Sequence, residues 1–239
     1  REYNPATGKY QAQDYYGAVA NELLWSNNPN AAGWVSSRTS SDVTSEQPLI
    51  SSLPVYDLIC TDDSEASYIY RQVAVTLNES KTQWAIVKPK NFTAFCLQAF
   101  GNTVIPNAKS NYDLTGSGEI VSTEGAVDNA GIEELGGGYY LVWQTWTAVE
   151  TGTGNVGFVL PSDCPVGRGV FLPHVQQVEG NRHGPVIITE GAPVTRAADD
   201  IKRATGVEFS RKQGTVFIDF EIAETGNAGF GYTLNGGSS

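Results

Sequence analysis

The chain is predicted to be all-β, a jelly-roll-like antiparallel β-sandwich, and three observations carry that prediction. Short apolar runs of strand length recur along it, separated by turns rich in Gly, Pro, Asn and Asp. The 26 Gly and 11 Pro among 239 residues suit many turns and are more than a helical protein tolerates. Helical periodicity is nearly absent, with room for a turn or two at 14–24 and 196–204 only.

Residues 1–22 are polar and Tyr-rich, with Asn4-Pro5 as a turn starter, and read as an N-terminal extended connector. Leu23-Leu24-Trp25 opens the sandwich, placed over 23–205. Residues 27–45 form a Ser, Asn and Thr loop anchored at Trp34-Val35. Strands follow at 55–61 and 68–77. In the second, Ile69, Val73, Val75 and Leu77 share one face, interrupted by Arg71, and Tyr68, Tyr70, Gln72 and Thr76 share the other. Further strands are read at 83–88, ended by Pro89, and at 92–98. A loop at 101–113 leads to a strand at 118–122. The Gly136-Gly137-Gly138 turn launches the clearest strand, 139–149. Tyr139, Leu141 and Trp143 point one way and Tyr140, Val142 and Trp146 the other, so both faces carry apolar bulk and the strand is central. Strands at 156–160 and 170–178 complete the sandwich. Residues 206–239 read as a separate C-terminal strand pair: Val216, Ile218, Phe220 and Ile222 alternate with polar residues, and 229–234 pairs with them. Two strands are not stable alone, so this pair needs the sandwich, a further domain or another subunit.

Five Trp, eleven Tyr and nine Phe supply an ample core. The net charge of −11 repels nucleic acid and anionic membrane surfaces. The one basic cluster, Lys202, Arg203, Arg211 and Lys212, reads as a solvated face. No run has the length of a transmembrane helix, and no signal peptide is visible. The chain begins at Arg1 and holds no Met, which reads as a processed product or fragment. Cys60, Cys96 and Cys164 are too few and too sparse for a disulfide framework; three free thiols are expected, consistent with assembly in a reducing cytoplasm.

Catalysis finds little support. The doublets Asp62-Asp63, Glu133-Glu134 and Asp199-Asp200 would place neighbouring carboxylates on opposite strand faces, which cannot flank one glycosidic bond. There are two histidines, His174 and His183, and no nucleophile-elbow or phosphate-loop motif. For binding, flat rings are the natural platforms for pyranose C–H faces, and the candidates are Trp34, Trp84, Tyr139, Tyr140, Trp143 and Trp146. No cofactor is expected beyond a structural Ca²⁺, for which Asp57, Asp62, Asp63 and Asp113 near strand ends are the available ligands.

Several stretches, in order, resemble a β-sandwich that recurs in bacteriophage tail-fibre and virion appendage proteins and is itself similar to carbohydrate-binding modules. They are AVANELLWSNNPNAAGW (18–34), SYIYRQVAVT with TQWAIVKPK (67–90), YDLTGSGEI (112–120), GGGYYLVWQTWTA (136–148) and FLPHVQQVEGNRHGPVIITEGAPVTRAAD (171–199). VEFSRKQGTVFIDFEI (207–222) resembles the start of a laminin-G or concanavalin-like sandwich. Tyr139, Leu141 and Leu172-Pro173 depart from the family pattern and mark a divergent member. The resemblance implies a non-enzymatic structural and adhesive protein of a tail fibre, spike or head decoration, located in the virion and assembled in the host cytoplasm. Its expected partners are other virion proteins, copies of itself as a homo-oligomer (a trimer), and a host cell-surface polysaccharide. The alternatives are an accessory domain of a phage polysaccharide depolymerase and a secreted bacterial carbohydrate-binding module.

Overall fold

The computed structural model describes residues 2–4, 9–11, 18–49, 54–101 and 103–197. The chain divides into two units, Arg1–Asp199 and Asp200–Ser239. The second unit, including the expected strand pair at 206–239, lies outside the described residues.

The strands in chain order are β1 (Glu2–Asn4), β2 (Lys9–Gln11), β3 (Val19–Asn21), β4 (Trp34–Ser37), β5 (Thr39–Ser40), β6 (Tyr56–Cys60), β7 (Ser67–Val75) and β8 (Ser80–Pro89). They continue with β9 (Ala94–Gly101), β10 (Ile105–Asp113), β11 (Glu119–Glu124), β12 (Asn129–Gly136), β13 (Tyr139–Thr147), β14 (Gly152–Leu160), β15 (Gly169–Glu179) and β16 (Val194–Arg196). No helix occurs among the described residues.

Two six-stranded sheets face each other. Sheet I has the order β11-β10-β9-β14-β7-β4, and sheet II the order β12-β13-β8-β15-β6-β5. From β6 to β9 successive strands alternate between the sheets, and β13, β14 and β15 then insert beside them, which is jelly-roll connectivity. Two small pairs, β1-β2 and β3-β16, complete the described strands.

The core follows from the period-two alternation of each strand. Ile69, Val73 and Val75 of β7, Phe95, Leu97 and Ala99 of β9, and Val156, Phe158 and Leu160 of β14 point inward from sheet I. Ala85 and Val87 of β8, Tyr140, Val142 and Trp146 of β13, and Val170, Leu172 and Val175 of β15 meet them from sheet II. Each large apolar side chain so buried contributes roughly 1.5–3 kcal/mol.

A polar ladder crosses the inner face of sheet II. Gln144, Gln83 and Gln177 stand in register on β13, β8 and β15. Gln144 Nε2 donates to Gln83 Oε1 (3.1 Å) and to the Ala108 carbonyl (3.3 Å), and Gln83 Nε2 donates to the Gly157 carbonyl (2.7 Å). These bonds join the sheets and reward one register only, because buried amides left unpaired are costly.

β15 carries a bulge at Leu172-Pro173, where the pairing steps three residues from Phe171 to His174 against two on β8. Proline has no N–H to give a ladder and is tolerated at such a point. The extra residue keeps Phe171, His174 and Gln176 on the outer face while Val170, Leu172 and Val175 stay inside.

The structure departs from the sequence reading in four places. Residues 105–113, expected as loop, form β10: its inward side chains are Ala108, Ser110 and Tyr112 and its outward ones Lys109, Asn111 and Asp113, so the apolar period is faint. β12 is an edge strand whose solvent-facing Glu133 and Glu134 hid its pattern. Residues 19–21, within a stretch where a helical turn was expected, pair with β16. Leu77 falls beyond the end of β7 and is half exposed rather than inward.

Candidate functional site

The outer face of sheet I carries an aromatic row. With Ile69 turned inward, Tyr68 and Tyr70 of β7 point outward, as does Phe100 of β9 beside inward Ala99. The Tyr68 and Tyr70 rings lie 5.8 Å apart, tilted, and the Tyr70 and Phe100 rings 5.7 Å apart, edge to face. β14 separates their strands, and its residue at the crossing is Gly157, paired with both Tyr70 and Gln98. Lacking a side chain, Gly157 lets the two rings meet; a Cβ there would stand 3.4 Å from Phe100 Cε1. All three rings are partly exposed.

Amides and a neutralised ion pair continue this face across β9, β10 and β11. Gln98 Nε2 donates to Asn107 Oδ1 (2.9 Å), and Asn111 Nδ2 donates to Ser122 Oγ (2.9 Å) and Glu124 Oε1 (3.1 Å). Lys109 pairs with Glu124 at 3.5 Å. Flat rings beside amide donors and acceptors suit a ligand with apolar C–H faces and a rim of hydroxyls. Tyr68, Tyr70 and Phe100 were not among the candidates from sequence. The outward alternation of Tyr68 and Tyr70 was legible, but their meeting with Phe100 depends on strand order.

Three of the sequence candidates, Trp84, Tyr139 and Trp143, gather on the opposite side of the molecule, the outer face of sheet II. Trp143 and Trp84 are cross-strand partners, and Gln176 is the partner of Trp84 on its other side. This face is covered. Gln176 Nε2 donates to the Pro185 carbonyl (3.1 Å) and its Oε1 accepts from Ile187 N–H (2.9 Å), which fastens residues 183–187 over it. His183 lies 5.0 Å from the Trp143 ring and 6.5 Å from the Trp84 ring, and His174 packs 5.1 Å from Trp84. Trp84 is thereby 1% exposed and Tyr139 3%. The Tyr139 hydroxyl donates to the Gln47 carbonyl (2.7 Å), and the Lys88 ammonium sits 5.0 Å from its ring. Trp143 stays partly exposed, lying flat across Gly131 of β12, where a Cβ would come within 1.8 Å of Trp143 Cζ2. A Gly131→Ala change is therefore expected to lift the Trp143 ring and red-shift tryptophan fluorescence; an unshifted spectrum would count against that packing.

Tyr140 and Trp146 lie between the sheets, at 4% and 0% exposure, out of reach of any solution ligand. The Tyr140 hydroxyl is spent on the Gly116 carbonyl (2.8 Å). Trp34, on edge strand β4, is partly buried against Phe158 (6.0 Å), donates Nε1 to the Leu24 carbonyl (3.2 Å) and lies beneath the Arg71 guanidinium (6.0 Å).

Three of the four aspartates considered for calcium have other partners. Asp57 pairs with Lys90 (2.7 Å) and accepts from Asp42 N–H (3.0 Å). Asp62 accepts from Ser64 N–H, which with the Ser64 hydroxyl and Arg38 holds its carboxyl below the usual range; Asp63 is exposed. Asp113, on the other sheet, accepts from the Thr115 hydroxyl (2.9 Å). They do not form a shared cation site. Among the described residues the carboxylates that converge are Glu22, Glu79 and Glu179, with ligand atoms within 4.8 Å of one another. The Lys81 ammonium already stands among them, 2.6 Å from Glu22 and 2.7 Å from Glu79.

No protein-family model matches the chain, and no curated protein matches it. Solved structures give low-identity likenesses. One is the enzymatically active domain of tailspike protein 4 of bacteriophage CBA120, with 13% identity and a TM-score of 0.40 over 66% of this chain and 21% of that one. A second is the CBM22-1 xylan-binding domain of Xyn10C from Paenibacillus barcinonensis, with 16% identity and a TM-score of 0.38 over 73% of this chain and 100% of that one. A third is TmCBM27, a carbohydrate-binding module described for specific mannan recognition, with 13% identity and a TM-score of 0.33 over 70% of this chain and 100% of that one. The chain thus spans 21% of the tailspike chain's length. The fold class, an all-β sandwich of two antiparallel sheets, is read from the chain's own strands.

Proposed function

We propose that this chain is a non-enzymatic glycan-binding module that holds a neutral host-surface polysaccharide on the outer face of sheet I, displayed on a virion appendage. The observation that carries the binding reading is the partly exposed row Tyr68–Tyr70–Phe100 running beside Gln98, Asn107 and Asn111. Sugar rings stack on the aromatic half and their hydroxyls exchange hydrogen bonds with the amide half. Neutral rather than acidic glycan is favoured because the face's Lys109 is paired with Glu124 and the chain's net charge of −11 repels polyanions. The appendage setting rests on the ordered sequence stretches that resemble phage fibre sandwiches.

Affinity electrophoresis in gels cast with soluble neutral polysaccharides, xylan and mannan first, tests the binding. The wild-type chain is expected to be retarded, and Tyr70→Ala to bind about tenfold more weakly, a loss of ~1.4 kcal/mol. Retardation lost in Trp143→Ala but kept in Tyr70→Ala would move the site to sheet II. No retardation across a panel of neutral glycans would end the binding reading. Immunolabelling of intact particles tests the display separately, with label expected on projecting fibres or spikes.

A further inference from the structure

At one end of the sandwich two of the connections that cross between the sheets meet at a pair of cysteines. β6 of sheet II ends at Cys60, and residues 61–66 cross to β7 of sheet I. β14 of sheet I ends at Leu160, paired with Ser67 at the start of β7, and residues 161–168 cross back to β15 of sheet II, with Cys164 midway. Backbone bonds lace the two connections together: Cys60 N–H donates to the Arg168 carbonyl (2.9 Å) and Gly167 N–H donates to the Cys60 carbonyl (2.8 Å). The same Arg168 carbonyl takes the Cys164 thiol at 3.6 Å, and Ser67 Oγ lies 3.3 Å from Cys60 Sγ. The Cys60 N–H and the Cys164 thiol thus converge on one carbonyl oxygen, and both cysteines are buried, at 1% and 0% exposure. Both are reduced in the structure, and the third cysteine, Cys96, is buried on β9.

We infer that Cys60 and Cys164 form a latent disulfide that closes when the chain folds or opens slowly in an oxidising solution. The co-reactant is a low-molecular-weight disulfide such as oxidised glutathione. One protein thiolate attacks it, forming a mixed disulfide and releasing one glutathione thiolate. The second protein thiolate attacks the mixed disulfide and releases the other. Two protein thiols are oxidised to one disulfide, one glutathione disulfide is reduced to two thiols, and the protein's two protons end on those thiols. Burial and the neighbouring Cys60 push the Cys164 thiol up to about 12, so thiolate is scarce in the closed fold and exchange belongs to folding or to slow opening. The closed bond would join these two sheet-to-sheet crossings and restrict the unfolded chain across a loop of about a hundred residues. A chain made in a reducing cytoplasm and working outside the cell would gain this staple after release.

The test is to refold the full-length chain from denaturant in oxidising and in reducing glutathione buffers. The oxidised sample is expected to lose the mass of two hydrogens, to keep one alkylatable thiol, to yield a peptide joining residues 60 and 164, and to melt at a higher temperature than the reduced sample. Cys164→Ser treated alike should show no intramolecular mass loss and no such difference in melting. Should refolding be inefficient, the same thiol count on folded protein held in oxidising buffer just below its melting temperature gives the answer. Three alkylatable thiols under oxidising conditions, or a bridge that includes Cys96, would overturn the inference.

Discussion

Replacing Lys81 by Met is expected to lower the unfolding free energy by about 3 kcal/mol, toward the low end of the ~3–5 kcal/mol cost of breaking a buried ion pair. Lys81 is 2% exposed, and its ammonium lies between Glu22 (2.6 Å) and Glu79 (2.7 Å), with the Glu179 carboxylate close by. Burial by itself would lower its pKa, but hydrogen bonds and attraction from Glu22 and Glu79 outweigh burial and hold it above the ordinary lysine value. Burial would likewise raise the Glu79 carboxyl, and the bonds from Lys81 and Thr76 N–H outweigh that and hold it below the usual range. Removing the ammonium leaves carboxylates facing one another with no cation between them. Glu22 and Glu79 keep 29% and 20% side-chain exposure, so water screens part of the repulsion, and this sets the effect at the lower end. Guanidinium unfolding at pH 7 of wild type and Lys81→Met measures it. Glu79's contribution is present above its unfolded-state pKa and is lost as pH falls through its lowered folded value, so the gap between the two proteins should narrow in acid. A gap below about 1 kcal/mol at pH 7 would mean the ion cluster is solvated and energetically idle.

Lowering the pH from 6.5 to 4 is expected to destabilise the fold by up to about 3 kcal/mol through His174 alone. His174 is fully buried, packed against Trp84, with Nε2 3.0 Å from Gln176 Oε1. That oxygen also accepts from Ile187 N–H, so in the neutral ring Nε2 carries the hydrogen and Nδ1 is the bare nitrogen. Nδ1 has no hydrogen-bond partner. Protonation would bury both a charge and an unpaired N–H, and burial accordingly pulls the His174 pKa down to about 4, with the Gln176 bond opposing in part. The sign follows. Between pH 6.5 and 4 the unfolded chain takes up a proton that the folded chain refuses, so stability falls as pH falls through that window and is whole above it. Thermal melts at half-unit steps check this, and His174→Phe should flatten the slope there. A wild-type melting temperature unchanged between pH 6.5 and 4.5 would refute the burial argument. The acid response has a structural reach, because Gln176 also fastens residues 183–187 over Trp84 and Trp143.

Much of the fold was legible in the sequence because the long strands carry clean alternation. In β7, buried Ile69, Val73 and Val75 fall where period two puts them, and Arg71 at the break in the pattern turns to the Ala32 carbonyl and the Trp34 ring. β13 carries apolar bulk on both faces and is flanked by β12 and β8, as its pattern implied. β10 and β12 were not legible, since small inward residues in one and exposed glutamates in the other erase the apolar contrast that marks a strand.

The candidate site was less legible, for a reason that lies in the pleat itself. Alternation assigns side chains to two faces without saying which face is inside. Trp143 and Trp146 were placed on opposite faces by counting, but only the packing of sheet I against sheet II makes Trp146 core and Trp143 surface. Sequence by itself determined the all-β class, the alternation of the long strands and the acidic surface, because these are properties of composition and short-range pattern. Tertiary structure alone decided that Trp84 lies sealed beneath residues 183–187, and that Tyr70 meets Phe100 across Gly157. Those contacts join residues far apart in the chain, and strand order, which local patterns do not encode, brings them together.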